Sequence, residues 1–566
     1  MQLINLQVIK SGSLVREINF KSGINIITNN DPKGNHIGKS TALRAINFCL
    51  GSDGKSLWKD PDSKTENLQI ERFVTGGDLF FILNIKIRGV SYCIKRTILK
   101  VEQKNRTILK ITSWINEKEI DSNDQFKAEL CPILGFSVQN PTYGSIKNRF
   151  IRIDKSTSNN TYRYLNSNTK DKDYILYYSY IFGFLGYEDL SKERALVLDK
   201  DEREKRMSIL LNGASEQSYK DKLKSIDDEI EILNKREDDF DFMDSQNEAI
   251  LRLSNHRKEI ARISSDISNL EIKINYSNRT IVSYESKFSQ LDLSLISEIY
   301  AEAKVIIPNL KRTLEQAIQF HDSIIQKKVS YLRKQMDFLL TDINKLRKRL
   351  NLFLIKEKDL VKAIANESHL GGFIVLEKEL QEKREGRGRV SVIIDEVNKE
   401  AKAIRKIDGD INKYRDSNKL HMAQLKENIK TFNAGFVEYT RSLFGNFSLS
   451  LNVDTNSSTN ELEFSIVNEN KVAGDGAPRA AALAFDMALI EYTKKAKATL
   501  PEFTVQDYLE SVDPDKLAKL AKIANKKEIQ VVMAILHDKL QGLDADFVEK
   551  NTVLYLSQEN KFFKIN

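Results

Sequence analysis

The sequence predicts an α/β protein in which two mixed lobes, one at each end of the chain, are separated by a long helical excursion. Three observations lead there. Residues 1–190 hold short apolar runs bounded by Gly, Asn, Asp and Ser, as strands and turns do. From about Leu190 to Phe432 apolar residues recur at alternating steps of three and four. After Phe432 short alternating runs return. The expected division is a lobe over 1–190, helical arms over 191–432 and a second lobe over 433–566.

Composition bounds what such a chain can be. At 566 residues it is too long for one ordinary domain. Charged residues make up 30% and hydrophobic ones 41%, polar for a globular protein but too apolar for a disordered one. With only 8 Pro and 24 Gly, long uninterrupted helices are allowed. No apolar run approaches the length of a membrane span, so no membrane partner is expected. The opening MQLINLQVIKSGSLVREINF alternates like a strand and lacks the basic-then-apolar layout of a signal peptide, so a cytoplasmic location is expected. Cys49, Cys93 and Cys131 offer neither a disulfide framework nor a CxxC metal pair. The net charge of +8 is a difference between 88 and 80; it permits a polyanionic partner without requiring one.

Taken in order, ILNIKIRGVSYCIKRTILK (82–100) reads as two strands around Gly89, and ILKITSWINEKEI (108–120) as a hairpin-like pair. In the arms, Leu223, Ile226, Ile230 and Leu233 begin the rhythm, and Ile260, Ile263, Ile267, Leu270 and Ile274 continue it. Leu332, Met336, Leu339, Ile343, Leu346, Leu350 and Phe353 hold it longest, and Val397, Ala401, Ile404 and Ile411 resume it. Such seams, with charges between them, predict a long antiparallel coiled-coil insertion; the alternative is a bundle of amphipathic helices. Pro308 within 291–313 marks the turn that folds the second arm along the first, and a kink, a break or an extra elbow is expected at Gly371-Gly372 and at REGRGRV (384–390). FGNFSLSLNVD (444–454) and ELEFSIVNE (461–469) read as an antiparallel pair. A glycine turn, a small-residue helix, two β-like segments and a terminal hairpin follow.

The sharpest chemistry lies in GINIITNNDPKGNHIGKSTALRAINFCLG (23–51). A strand, Ile24 to Thr28, runs into a loop ending Gly38-Lys39-Ser40-Thr41, where a helix begins. Successive backbone N–H groups at such a turn cradle phosphates, the Lys reaches the β and γ oxygens, and the Ser ligates Mg2+. Gly34 and Asn35 fall inside the same cradle. In G-x-x-x-x-G-K-[ST] the first Gly belongs at Lys33, so Gly34 comes one place late. The alternative is an accidental Gly-Lys-Ser at a helix start.

Residues 474–489, GDGAPRAAALAFDMAL, form a glycine turn followed by a small-residue helix. This resembles the signature motif of ABC-type ATPases, above all the SMC-like branch. Aligning Ala482-Leu483-Ala484 puts Gly474 at the signature serine and Asp475 and Gly476 at its two glycines; a packing turn is the alternative. Phe503-Thr504-Val505-Gln506-Asp507 resembles a Walker B strand, whose acid holds the magnesium. The residue that follows in the family is a catalytic Glu; here it is Tyr508, and Glu510 is the nearest carboxylate able to polarise water. Ser511-Val512-Asp513 resembles the D-loop, and His537, after the apolar run 529–536, the switch histidine. Gln139 lies where the family keeps its metal-contacting Q-loop glutamine, with Arg149 and Arg152 nearby as alternatives that would touch nucleotide or DNA.

In order and spacing the whole chain resembles SMC/RecN-like ABC ATPases, most closely the short-armed members that accompany bacterial three-component anti-phage systems. The resemblance implies a split ABC-type P-loop NTPase head built from both chain ends, with ATP and Mg2+ as cofactors. It also implies a homodimer through the heads, so that each site is completed by the partner's signature turn, and an additional effector subunit. The CxxC zinc hook of one subgroup is missing, since no cysteine follows Cys131. LRKRL (346–350), EKREGRGRV (382–390) and KAIRKIDGDINKYR (402–415) place cations along the second arm, where double-stranded DNA would be held by salt-sensitive phosphate contacts. A solvated helix face is the alternative, because acids interleave. Three functions are compatible: an ATP-driven DNA-engaging ATPase, a nucleotide-gated scaffold with little turnover, and a RecN-like repair protein.

Overall fold

The fold is taken from a computed structural model that describes residues 1–29, 37–60, 65–103, 106–120, 122–135, 141–165, 169–238, 244–289, 314–365, 371–445, 447–457, 461–468 and 477–565. The described chain divides into two units. The first takes residues from Met1–Ser191 and Arg415–Asn566, the second from Lys192–Ile296 and Leu314–Tyr414.

In the first unit, β1 (Gln2–Lys10), β2 (Ser13–Asn19) and β3 (Ile24–Asn29) precede helix α1 (Lys39–Cys49). Strands β4 (Leu79–Ile87), β5 (Val90–Gln103), β6 (Arg106–Ile115), β7 (Lys118–Ile120) and β8 (Ile151–Arg152) follow. β4 and β5 make the expected hairpin, turning through Arg88 and Gly89, both at positive φ, which suits the right-handed twist of the strands. An antiparallel sheet runs β2-β1-β4-β5-β6-β7. The C-terminal part adds the antiparallel pair β9 (Leu449–Thr455) and β10 (Leu462–Asn468), then β11 (Phe503–Gln506), β12 (Gln530–Ala534) and β13 (Thr552–Leu556).

A second sheet is parallel throughout and takes strands from both ends of the chain, in the order β13-β3-β12-β11-β8. β3 and β12 are buried at every position, as strands covered on both faces must be. β13 pairs with β3, in place of the terminal hairpin expected from its sequence: a short apolar strand finds its partner by burial, not by nearness in sequence. α1 touches both sheets. Its C-terminal end is held by Arg96 of β5, whose buried guanidinium donates to Phe48 O in the last turn and, at 2.9 Å, to Ser52 O just beyond the helix. A cation at a helix C-terminus is favourable, and here it fixes where α1 points.

The second unit is helical: α2 (Tyr187–Leu211, entering from the first unit), α3 (Glu216–Asp238), α4 (Asp244–Ser289), α5 (Leu314–Ala365) and α6 (Gly371–Leu420). α2 ends at Asn212 and Gly213, both at positive φ. The expected long first arm is therefore not one helix. α3 runs against α6, with Asp227–Arg387 and Asn234–Arg384 pairs. α4 turns back along α3: Ser254 donates to Glu237 at 3.2 Å, and Arg279 reaches Asn212 at 3.1 Å. α5 runs against α4 through Arg257–Glu357 (2.6 Å), Arg347–Glu271 (2.8 Å) and Arg333–Glu285 (2.8 Å). The second arm thus packs antiparallel along the first, as expected, with α4 on α5 and α3 on α6, but α4 also doubles back along α3, so the four helices run up-down-up-down; the turn expected over 291–313 lies outside the described residues. The seam read from Ile263, Ile267 and Ile343 is real, but it belongs to α4 and α5 alone.

No break occurs at 384–390, where α6 continues as helix through Gly386 and Gly388. A Cβ on Gly388 would stand 1.8 Å from Ser265 Oγ and 2.7 Å from Ser265 Cβ. The glycine lets α4 and α6 approach. The helical rhythm also runs on past the second unit, which ends at Tyr414: helix Met422–Phe444 packs Leu425, Ile429, Phe432 and Phe436 into the core of the first.

Candidate functional site

In the parallel sheet Ile27 lies opposite Ala534 and Met533 opposite Gln506, so β3, β12 and β11 end together. The carboxyl edge of an open parallel sheet is where ligands bind in such folds. Each strand there releases one of the segments singled out from the sequence: Gly38–Ser40 after β3, Asp507–Glu510 after β11 and His537 after β12.

Gly38 is the N-cap of α1, with φ 98°. Only glycine adopts this readily, and a Cβ would lie 2.6 Å from Phe562 Cβ. Lys39 is nearly buried. Burial pushes its ammonium down in pKa, and the Glu510, Asp507 and Asp538 carboxylates oppose that shift. Three acids thus converge on the lysine that opens the helix. Ser40 and Thr41 stand half-buried in the first turn of α1.

Asp507 is 3% exposed. Its Oδ1 accepts the Tyr508 N–H at 3.0 Å. Burial pushes its carboxyl up, while the Ser40 hydroxyl, hydrogen-bonded to it, holds it toward the ionised form. Oδ2 is buried with no hydrogen-bond partner among the described residues. An unpartnered carboxylate oxygen is costly unless something outside the chain satisfies it. With a serine hydroxyl beside it, this is a donor set that fits a small hard cation such as Mg2+. Glu510 is partly buried in the turn Leu509–Ser511; burial and the nearby Asp507 raise its pKa, and Lys39 and Arg479 oppose the rise. Tyr508, between the two acids, sits at φ 57°, a left-handed conformation that costs a non-glycine residue energy and marks strain at the site.

Other candidates fall differently. Asp513 caps helix Pro514–Lys526 by accepting the Asp515 N–H at 3.0 Å, which occupies the side chain structurally. His537 is exposed, and its backbone N–H binds Asn29 Oδ1 at 3.1 Å, tying the ends of β12 and β3. Gly34, Asn35, Gln139, Gly474, Asp475 and Gly476 lie outside the described residues.

Arg149 and Arg152, read from sequence as possible nucleotide or DNA contacts, are buried and belong to a polar network instead. Arg149 pairs with Asp486 Oδ1 at 2.6 Å, and Arg152 approaches Asp486 Oδ2 at 3.6 Å. Gln506 donates to Asp486 Oδ2 at 2.8 Å and accepts from Arg479, which also donates to Asp507 O at 2.6 Å. Burial lowers the Arg479 pKa to about 9. Asp486, Gln506 and Arg479 thus support the backbone that carries Asp507, and the sequence reading missed them. The signal was present: one acid inside the otherwise apolar AAALAFDMAL, where a buried charge needs a partner.

On α5 and α6 several of the arginines are likewise paired. Arg347, Arg387 and Arg389 bind Glu271, Asp227 and Ser268. Among the described residues no group of three His, Cys, Asp or Glu could hold a metal ion. The cysteines are free, and no described helix is long and apolar enough to cross a membrane.

Residues 439–566 match the family described as "Uncharacterised protein conserved in bacteria (DUF2326)". No curated protein matches the chain. Among solved structures, the chain is similar to the Smc head domain with a coiled coil and joint from Pyrococcus yayanosii. Identity is 16% and the TM-score 0.37, over 95% of this chain and 93% of that one. It is also similar to the Smc head domain with an extended coiled coil from Pyrococcus furiosus, bound to the C-terminal domain of ScpA. There identity is 11% and the TM-score 0.31, over 95% of this chain and 91% of that one. An SmcHead bound to the C-winged helix domain of ScpA gives 11% identity and a TM-score of 0.34, again over 95% and 91%.

Proposed function

We propose that the protein is an ATPase of the SMC-like ABC type, with a split head built from both chain ends. The observation that carries this is the meeting of Lys39 and Ser40, Asp507 and Glu510 at one edge of one parallel sheet, with Asp507 Oδ2 left unpartnered beside the Ser40 hydroxyl. In this reading the first amides of α1 and the Lys39 ammonium bind the β and γ phosphates. Ser40 and Asp507 would hold Mg2+, which neutralises charge on the phosphate oxygens when bound. Glu510 takes the proton from the attacking water, and its raised pKa supports that role. The remaining assignments belong to the same proposal: Gln139 at the metal, Asp513 and His537 at the nucleotide, Gly474–Gly476 facing a phosphate across a head–head homodimer, and an effector subunit in anti-phage defence. DNA engagement is permitted by the net charge of +8, although several arginines of the runs on α5 and α6 are spent on interhelical pairs.

The test is ATP binding and turnover by the full chain, with and without long double-stranded DNA. Lys39→Ala should lose binding and Asp507→Asn its Mg2+ dependence. Normal hydrolysis by Lys39→Ala would remove the reading. Strained Tyr508, at the position of the family's catalytic Glu, favours a second reading, a nucleotide-gated scaffold with little turnover. A wild-type rate equal to that of Glu510→Gln under both conditions would select it.

A further inference from the structure

Asn560–Phe563, distant from Gly38 in sequence, lies directly against the start of α1. The Phe562 N–H donates to the Ile37 carbonyl at 3.0 Å, and Phe562 Cβ fills the space beside Gly38 Cα that no other residue type would leave open. Phe562 and Phe563 are both buried, and the Phe563 ring lies 5.7 Å from Phe73 and 6.2 Å from Phe81. The segment is fastened from β2 by Arg16. Its Nε donates to Phe562 O at 3.2 Å, and its Nη2 to Lys561 O at 2.6 Å and to Asn560 Oδ1 at 2.9 Å. Arg16 is 8% exposed. Sinking a guanidinium that far is worthwhile only if its donors are satisfied, and three of its bonds go to this one short segment.

We propose that Arg16 and Phe562 are positioning residues for nucleotide binding, and that Asn560–Phe563 braces Ile37–Gly38 in the conformation that aims the first amides of α1 at a phosphate. The inference rests on the ATP reading above. Its physical basis is preorganisation. Glycine has the widest choice of backbone conformations, so an unbraced Gly38 must be ordered at the moment of binding. A bond to the preceding carbonyl and a side chain packed on its Cα remove that choice beforehand. The brace also ties the phosphate turn to the antiparallel sheet through β2.

Calorimetric titration of the full chain with ATP and Mg2+ tests this, comparing wild type with Arg16→Ala, Phe562→Ala and Phe562→Leu. Arg16→Ala, which removes the side-chain bonds that fasten the segment, should raise Kd about tenfold with stoichiometry unchanged. Phe562→Ala keeps the N–H and the Cβ but empties the ring's buried site, so it should weaken binding by loosening the segment. Phe562→Leu keeps the N–H and the apolar contact and should stay within about twofold of wild type. Without nucleotide, the Phe562 and Ala42 amides should exchange faster in Arg16→Ala, because they bond Ile37 O and Gly38 O. Wild-type Kd and exchange in Arg16→Ala overturn the brace while leaving the ATP reading intact. A fall in stoichiometry at unchanged Kd makes the segment merely structural and also overturns it. Failure of wild type to bind ATP overturns both readings.

Discussion

Gly388 separates two opposite expectations for one substitution. In an isolated helix Gly→Ala stabilises by about 1 kcal/mol, through helix propensity. At Gly388 the new methyl would stand 2.7 Å from Ser265 Cβ. Rotating the serine moves its hydroxyl, 1.8 Å away, but not its Cβ, so α4 and α6 must separate. Overpacking of this kind costs about 1–3 kcal/mol, so Gly388→Ala should be destabilising by up to roughly 2 kcal/mol net. Two glycines of the same helix are internal controls: Gly386 has only Ile226 Cδ1 at 4.0 Å, and Gly409 has nothing within 4 Å. Both alanine variants should gain about 1 kcal/mol. Removing the opposing side chain with Ser265→Gly should rescue Gly388→Ala. Native-state hydrogen exchange of α6 amides around 384–392 reads the local opening free energy in the intact chain. Stabilisation of Gly388→Ala equal to that of Gly409→Ala would refute the close approach, and with it the bundle in which α4 turns back beside α6.

Further expectations concern the buried charges. Asp486→Ala leaves Arg149 and Arg152 uncompensated in the core and should cost about 3–5 kcal/mol in urea unfolding; a loss below ~1 kcal/mol would deny the network its role. In the helical unit Glu377 is fully buried, faced by Glu237 of α3 and by Ser254 and Arg257 of α4, the last held by Glu357 of α5. Burial, with Glu237 beside it, pushes the Glu377 carboxyl up to about 7. A carboxyl raised on folding stabilises at low pH, and that contribution declines from the ordinary carboxylate range and is gone above about 7. Exchange of α3 and α6 amides near the pair should therefore quicken between pH 5 and 8 beyond the intrinsic rate, and Glu377→Gln should flatten the profile; an unchanged profile in the variant would assign it elsewhere. Gly38→Ala combines a positive φ with a contact at 2.6 Å and should abolish ATP binding at unchanged secondary content by circular dichroism; retained affinity would count against the turn as the phosphate site.

Legibility differed by kind of information. β4 with β5, and β9 with β10, were readable because two-residue periodicity and a turn lie within a few residues of each other. The placing of Lys39 and Ser40 at a helix start after β3, and of Asp507 at the end of β11, was readable because a strand followed by a loop and a helix leaves a local pattern. Arg479, Asp486 and Gln506 were missed because a buried polar network has no period. REGRGRV was misread as a break because glycine marks both turns and close helix approaches, and only the neighbouring helix tells them apart.

By itself, then, the sequence determined the local grammar: which stretches are strands, which are helices, and which residue types can bind phosphate and a hard cation. Only the tertiary structure decided that β3 and β8 interleave with β11, β12 and β13, that α4 doubles back on α3, and that Phe562 rests on Gly38. The physical reason is common to all three. Periodicity states that a face must be buried but not against what, and that choice is made by burial energy among all the elements of the fold, near and far in sequence.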